Sequence, residues 1–303
     1  MRILCFLAGL TSLLCCQSLC AQQPVIPIWG DEDPPYFKPH SVEEYEADCW
    51  EVVCAYQVSD PTLTLYVPED RSNGTAVLVL PGGGYEAEAV YHEGYEIAEA
   101  LSRSGTVAAV LKYRLPNPET ATHPELVPAA DVRQALALLR ERQRALGFEA
   151  VKFGVMGFSA GAHLAASVSV NRVPDASRNP DFSMLIYGVS RLTEENKEWL
   201  ESTLYHRPMT EEERARERLL ERIDSNTPPA FLVHAWDDEV CHYSESTRYA
   251  EALHSAGLEN EIHLFARGGH GFGAGRKEDG TDQWLRLASN WLGRIVANQV
   301  QAR

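Results

Sequence analysis

Short apolar runs alternate with longer amphipathic stretches along most of this chain. The runs at residues 76–80, 107–111, 151–156, 183–187, 230–235 and 261–265 predict strands. Residues 91–102, 129–146, 162 onward, 244–256 and 283–296 predict helices between and after them, and in 129–146 the apolar Val132, Ala135, Leu136, Leu138 and Leu139 share one face. Strand and helix alternate from residue 76 onward, which argues for a mostly parallel sheet with helices on both faces. A charged segment, 193–224, interrupts the alternation. In it Thr210-Glu211-Glu212-Glu213 reads as a capping box that opens a helix, and the segment is expected to form a small cap.

The N-terminal quarter follows other rules. Residues 22–48, rich in proline and acid, predict an irregular arm, and 50–56 and 62–67 predict two strands joined around Ser59-Asp60-Pro61 as the antiparallel edge of the sheet. If residues 49–58 are one strand, Cys49 and Cys54 stand five steps of ~3.3 Å apart on opposite faces, so no disulfide is expected between them. Residues 1–21 carry Arg2, an apolar run to Leu14 and a small Ala21 before polar Gln22, the layout of a secretory signal peptide, with an N-terminal membrane anchor as the alternative. Export and cleavage near Ala21 would leave Cys49, Cys54 and Cys241, an odd set that suggests no disulfide framework. The remainder, 49–303, reads as one catalytic domain.

Composition narrows the partners. A formal net charge of −16 argues against nucleic acid and against anionic membrane surfaces. The acidic runs at 31–33, 43–46 and 211–213 read as solvated surface. No H-E-x-x-H and no Cys/His cluster points to a metal, and no cofactor motif is present: Gly-Lys-Ser/Thr is absent, and G-x-G-x-x-G fails at Ala87.

The chemistry concentrates at the ends of predicted strands. Gly157-Phe158-Ser159-Ala160-Gly161, between a strand and a helix, has the form of a nucleophile elbow, where a strained serine presents its Oγ at a helix N-terminus. Pro81-Gly82-Gly83-Gly84-Tyr85 follows the strand at 76–80, and its glycines can turn backbone N–H groups toward a ligand. With Ala160, the amides of Gly83 and Gly84 are the expected oxyanion donors. A serine nucleophile needs a base and an acid. His270 follows the strand at 261–265, and Trp236-Asp237-Asp238-Glu239-Val240 follows the strand at 230–235, giving the order serine, acid, histidine. His163, His234 and His263 read as structural.

Taken together, Pro81-Gly82-Gly83-Gly84-Tyr85, His92-Glu93-Gly94, Lys112-Tyr113-Arg114-Leu115, Gly157 to Leu164, Thr227-Pro228-Pro229-Ala230-Phe231 and Gly268-Gly269-His270-Gly271-Phe272-Gly273 resemble bacterial secreted α/β-hydrolases of the acetyl xylan esterase and feruloyl-esterase-like group, from about Pro61 to about Trp291. The resemblance implies an α/β-hydrolase fold and ester hydrolysis on carbohydrates, with Ser159, Asp238 and His270 as triad. It selects Asp238 over Asp237, which is left to bond backbone groups of its own turn. Two departures stand out: Ala162 where the family usually has glycine, and Cys241-His242 where it has Val-Pro. The expected substrate is an acetyl group on xylan or a related carbohydrate, with Tyr85 and Trp236 as sugar or acyl contacts. A feruloyl esterase, with Trp236 or Phe272 lining an aromatic slot, a serine peptidase of the prolyl-oligopeptidase kind and a non-catalytic binding protein are the alternatives.

Overall fold

The computed structural model describes residues 23–301 with the exception of Arg71. The predicted signal peptide lies outside the described residues. In chain order the strands are β1 (Val25–Pro27), β2 (Tyr45–Cys49), β3 (Val52–Tyr56), β4 (Thr62–Tyr66), β5 (Thr75–Leu80), β6 (Ala87–Glu88), β7 (Val107–Lys112), β8 (Lys152–Phe158), β9 (Ser183–Ile186), β10 (Ala230–Ala235) and β11 (Asn260–Phe265). The α-helices are α1 (Glu96–Arg103), α2 (Val127–Arg142), α3 (Ala160–Val170), α4 (Glu194–Thr203), α5 (Glu211–Glu217), α6 (Ser244–Ser255) and α7 (Trp284–Gln301).

Eight strands form one sheet in the order β1-β4-β7-β5-β8-β9-β10-β11, antiparallel at β1–β4 and β4–β7 and parallel from β7 to β11. The central strands β5, β9 and β10 are buried at every position and mostly apolar, because both faces are covered. On β5, Ala76, Leu78 and Leu80 enter one core with α2 and α3, while Val77 and Val79 enter the other with α1 and α7. At the free edge, β11 is only half-buried, and its Glu261 pairs with His263 (2.8 Å) and Arg294.

The N-terminal region departs from the sequence reading. Residues 28–44 contain no helix or strand, but the segment is tied to the domain: β1 before it pairs with β4, Ile28 is buried, and the indole of Trp29 donates to Asp131 (2.8 Å). Asp131 also takes the guanidinium and the amide of Arg114, whose Nη1 reaches the carbonyl of Pro35. The strands at 50–56 and 62–67 do not share an edge, since β4 joins the main sheet whereas β3 lies in a separate three-stranded sheet, β2-β3-β6.

The expectation about the cysteines is also overturned, for the same reason. Trp50 and Glu51 both take positive φ (45° and 69°) and fold the chain back, so 45–56 is a hairpin in which Cys49 faces Val52 and Ala47 faces Cys54. In a hairpin Cys54 becomes the diagonal neighbour of Cys49 on the same face. The two form a disulfide with Cα atoms 5.9 Å apart.

The charged segment 193–224 supplies α4 and α5. Thr193 caps the first, and the capping box of Thr210 and Glu213 opens the second, as its sequence requires.

Candidate active site

Ser159 sits between β8 and α3 with φ 50° and ψ −118°, a conformation uncommon for a residue with a side chain. Close packing holds it there: a Cβ on Gly157 would lie 2.1 Å from the carbonyl oxygen of Gly161. Ala162, where the resembled family has glycine, is accommodated because it faces Gly188, which has no side chain.

The loops after β10 and β11 bring the acid and the base to this turn. The Ser159 hydroxyl lies 2.8 Å from Nε2 of His270, and Nδ1 of His270 lies 2.8 Å from Oδ2 of Asp238. Oδ1 of Asp238 accepts the amides of Val240 (2.9 Å) and Cys241 (2.8 Å). The Cys241-His242 departure thus leaves the acid's backbone donors in place. Burial raises the Asp238 carboxyl, but hydrogen bonds from His234 and His270, the charge of His270 and the Cys241 amide outweigh it and hold the group well below the usual carboxylate range.

Two neighbours escaped the sequence reading. His234, expected only to pack, is fully buried and its Nε2 faces both the carbonyl of Cys241 (2.8 Å) and Oδ2 of Asp238 (3.1 Å), while Nδ1 meets the Ser246 hydroxyl (2.8 Å). A carbonyl can only accept, so Nε2 carries the proton and Nδ1 takes one from Ser246. Cys241 is buried against the site, and burial first, then the carboxylates of Asp238, Glu245 and Glu195, push its thiol well above the usual range. It stays a neutral thiol beside Ser159, without the thiolate character a nucleophile needs.

Asp237 does not bond within its own turn. Its Oδ1 accepts the amide of Gly269 (2.8 Å), so it clamps the acid loop onto the base loop.

The glycine loop curls against β6. Gly83 has φ 134°, and a Cβ there would meet the carbonyl oxygen of Ala87 at 2.1 Å. The Gly82 amide is spent on Oε2 of Glu93 (2.7 Å), whereas the amides of Gly83, Gly84 and Ala160 donate to no acceptor among the described residues. Glu93 also accepts the hydroxyl of Tyr187 (2.8 Å), which accepts the amide of Gly273 (3.1 Å). His92 donates through Nε2 to the carbonyl of Gly271 (2.9 Å). The consecutive residues His92 and Glu93 therefore tie the glycine loop to the histidine loop.

Ser159, His270, Gly83, Gly84 and Ala160 line one cavity of about 490 Å³. Its other walls come from Trp50 and Val52 of the hairpin, Glu195, Asn196 and Trp199 of α4, and Val189, Val240 and Cys241. Neither proposed aromatic contact is among the lining residues. Tyr85, at φ 66°, turns inward, where it is buried, donates to Nδ1 of His163 (2.9 Å) and stacks on Trp199 (5.6 Å between centroids). Trp236 is half-exposed and packs on Tyr243 (4.2 Å). Phe272 is buried against Tyr187. The aromatic residues that do line the cavity, Trp50 and Trp199, lie in segments with no glycine or catalytic motif to mark them. Among the described residues no group of three or more His, Cys, Asp or Glu side chains is arranged to hold a metal ion.

Comparison with known proteins adds a family. The BD-FAE family model matches residues 63–253. An acetylxylan esterase of Xylanibacter ruminicola is 30% identical over 247 residues, which cover 79% of this chain and 49% of that protein. The chain spans about half the length of that relative, and 34% of the endo-1,4-beta-xylanase B of Butyrivibrio fibrisolvens, which is 29% identical over 70% of this chain. Among solved structures, an acetyl ester-xyloside bifunctional hydrolase from Caldicellulosiruptor lactoaceticus superposes with a TM-score of 0.76 at 28% identity, covering 92% of this chain and 98% of that one.

Proposed function

This chain belongs to the BD-FAE family and has the α/β-hydrolase fold, and from that premise we propose that it is a serine carboxylic-ester hydrolase that removes acetyl groups from xylan or a related carbohydrate. The observation that carries the reading is the unbroken run Asp238–His270–Ser159, with two 2.8 Å hydrogen bonds, opening on the same cavity as three amides without protein acceptors. Ser159 Oγ attacks the ester carbonyl while His270 Nε2 takes its proton. The amides of Ala160 and of Gly83 or Gly84 stabilise the oxyanion, and His270 then returns the proton to the leaving sugar hydroxyl. Water, activated by the same imidazole, releases acetate from the acyl-enzyme. Asp238, ionised because its pKa is held low, keeps Nδ1 protonated and stabilises the imidazolium.

Residues 1–21 are proposed to direct export, which would bring the enzyme to polymers outside the cell. A second reading, feruloyl ester hydrolysis, is favoured by the two indoles on the cavity wall, which offer faces to a planar acyl group. Comparing kcat/KM for acetylated xylo-oligosaccharides, methyl ferulate, a C8 p-nitrophenyl ester and a proline peptide separates these readings. Preference for the first supports the proposal. Preference for methyl ferulate replaces its substrate, and preference for the C8 ester or the peptide overturns it.

A further inference from the structure

Trp50 is more exposed than any other large apolar side chain among the described residues, at 71%, and yet lines the cavity that holds Ser159. It stands at the tip of the β2–β3 hairpin in a turn that needs positive φ at both central residues. Such turns ordinarily carry Asn-Gly or another small pair, since a bulky side chain is disfavoured there. Strained positions of this kind persist where surrounding structure over-determines them, and they cluster at ligand clamps. Here the over-determination is visible. The Cys49–Cys54 disulfide closes the hairpin directly behind the turn, and Tyr45 and Tyr56 stack across the strands at 5.1 Å.

The hairpin is also referenced to the reacting centre. β3 pairs with β6 through Ala55–Glu88 and Tyr56–Ala87, and β6 begins three residues after Gly84. The tip therefore has a defined position relative to the glycine loop. On another wall of the cavity, Glu195 is exposed, and its carboxylate accepts no hydrogen bond from the described residues. A flat aromatic face and an unpaired carboxylate on one cavity match a sugar ring, which presents apolar C–H groups on its faces and hydroxyl donors at its edge.

We propose that the disulfide-closed hairpin is the carbohydrate-binding platform of this site, with the indole of Trp50 as the face on which the sugar ring beside the scissile ester packs. The proposal deepens the functional reading above and rests on it. The leaving group, not the acyl group, contacts the platform. Trp50 thus sets KM for carbohydrate esters and contributes little to ethyl acetate, whose leaving alcohol is too small to cover the indole.

The test compares the full-length protein with Trp50→Ala, Trp50→Phe and the double variant Cys49→Ser/Cys54→Ser on acetylated xylo-oligosaccharides, ethyl acetate and methyl ferulate. In Trp50→Ala the ratio of kcat/KM for the oligosaccharide to that for ethyl acetate should fall about tenfold, through KM, as expected for one aromatic stacking contact. Trp50→Phe should recover most of the ratio, and the double cysteine variant should fall in between, with melting curves marking any loss of fold. An unchanged ratio in Trp50→Ala overturns the platform. So does a loss seen on methyl ferulate alone, which would place the acyl group on the indole. A wild-type protein that cleaves ethyl acetate but no carbohydrate ester sinks the functional reading instead, and the platform with it.

Discussion

The wall of the cavity that carries Ser159, Asp238 and His270 hangs from the ends of β8, β10 and β11, inside a continuous parallel ladder, whereas the rim made by Trp50, Val52 and Trp199 stands outside the main sheet. On the first wall each loop is pinned by short hydrogen bonds: Asp238 to the amides after it, Asp237 to Gly269, and Glu93 and His92 across to the histidine loop. On the rim the ties are the three-stranded β2-β3-β6 ladder, a disulfide, a tyrosine pair, and Trp199, which stacks on Tyr85 and donates to the carbonyl of Gly84 (3.2 Å). The proposed reaction geometry thus rests on the main parallel sheet, and the proposed sugar platform on a small separate sheet reinforced by side chains.

The sharpest way to break this contrast is Ser159→Ala. It should lower turnover of every ester by about 10⁴ or more, while circular dichroism and melting temperature stay close to wild type. Substantial activity in the folded variant would mean that the first wall is not where bonds break. Next in size is the pair of adjacent acids. Asp238→Asn should cost about 10⁴ in kcat, since it removes the charge opposite the imidazolium. Asp237→Asn, which weakens only the bond to Gly269, should cost about tenfold or less. Steady-state kinetics on p-nitrophenyl acetate decide the order, and equal losses would show that the clamp matters as much as the charge.

The same division explains what could be read in the residues. Ser159, the glycine loop and His270 announce themselves because their backbone conformations admit few residue types, so chemistry and local composition coincide. The alternation of β5 to β11 with helices was equally legible, as continuous apolar strands have few other solutions. The hairpin was not: its turn carries Trp-Glu where glycine or asparagine would have marked it, and reading 49–58 as one strand placed the cysteines on opposite faces. Tyr85 and Trp236 failed for a different reason. Proximity in sequence to a reacting residue says nothing about which way a side chain leaves the turn, and at φ 66° that of Tyr85 goes into the core. His234 looked like packing because its partners, Asp238 and Cys241, meet it only when the loop after β10 closes.

Smaller effects concern stability. The folded-state pKa of Asp238 lies below its unfolded value of about 3.9, so the ionised carboxylate stabilises the fold fully above about pH 5 and that contribution is lost as acid approaches the folded pKa. Between about pH 5 and pH 2 the melting temperature of wild type should therefore fall more steeply than that of Asp238→Asn. Parallel curves would show that the acid loop is not held by its charge. Smallest of all, Tyr85→Phe removes the hydroxyl that donates to His163 and should cost about 1 kcal/mol in denaturant unfolding. Its ratio of activities on sugar and synthetic esters should match wild type, and a lowered ratio would return Tyr85 to the substrate.

The two ends of the main sheet carry a consequence of another kind. An open sheet offers unpaired backbone groups at its outermost strands, where another chain can add and seed aggregation. One end here is β1, only three residues long and finished by Pro27, which has no N–H to offer. The other is β11, where an incoming strand would have to strip water from Glu261, His263 and Arg294 before gaining any ladder bond. Neither border is a good template, so strand addition at the two ends of the main sheet is disfavoured.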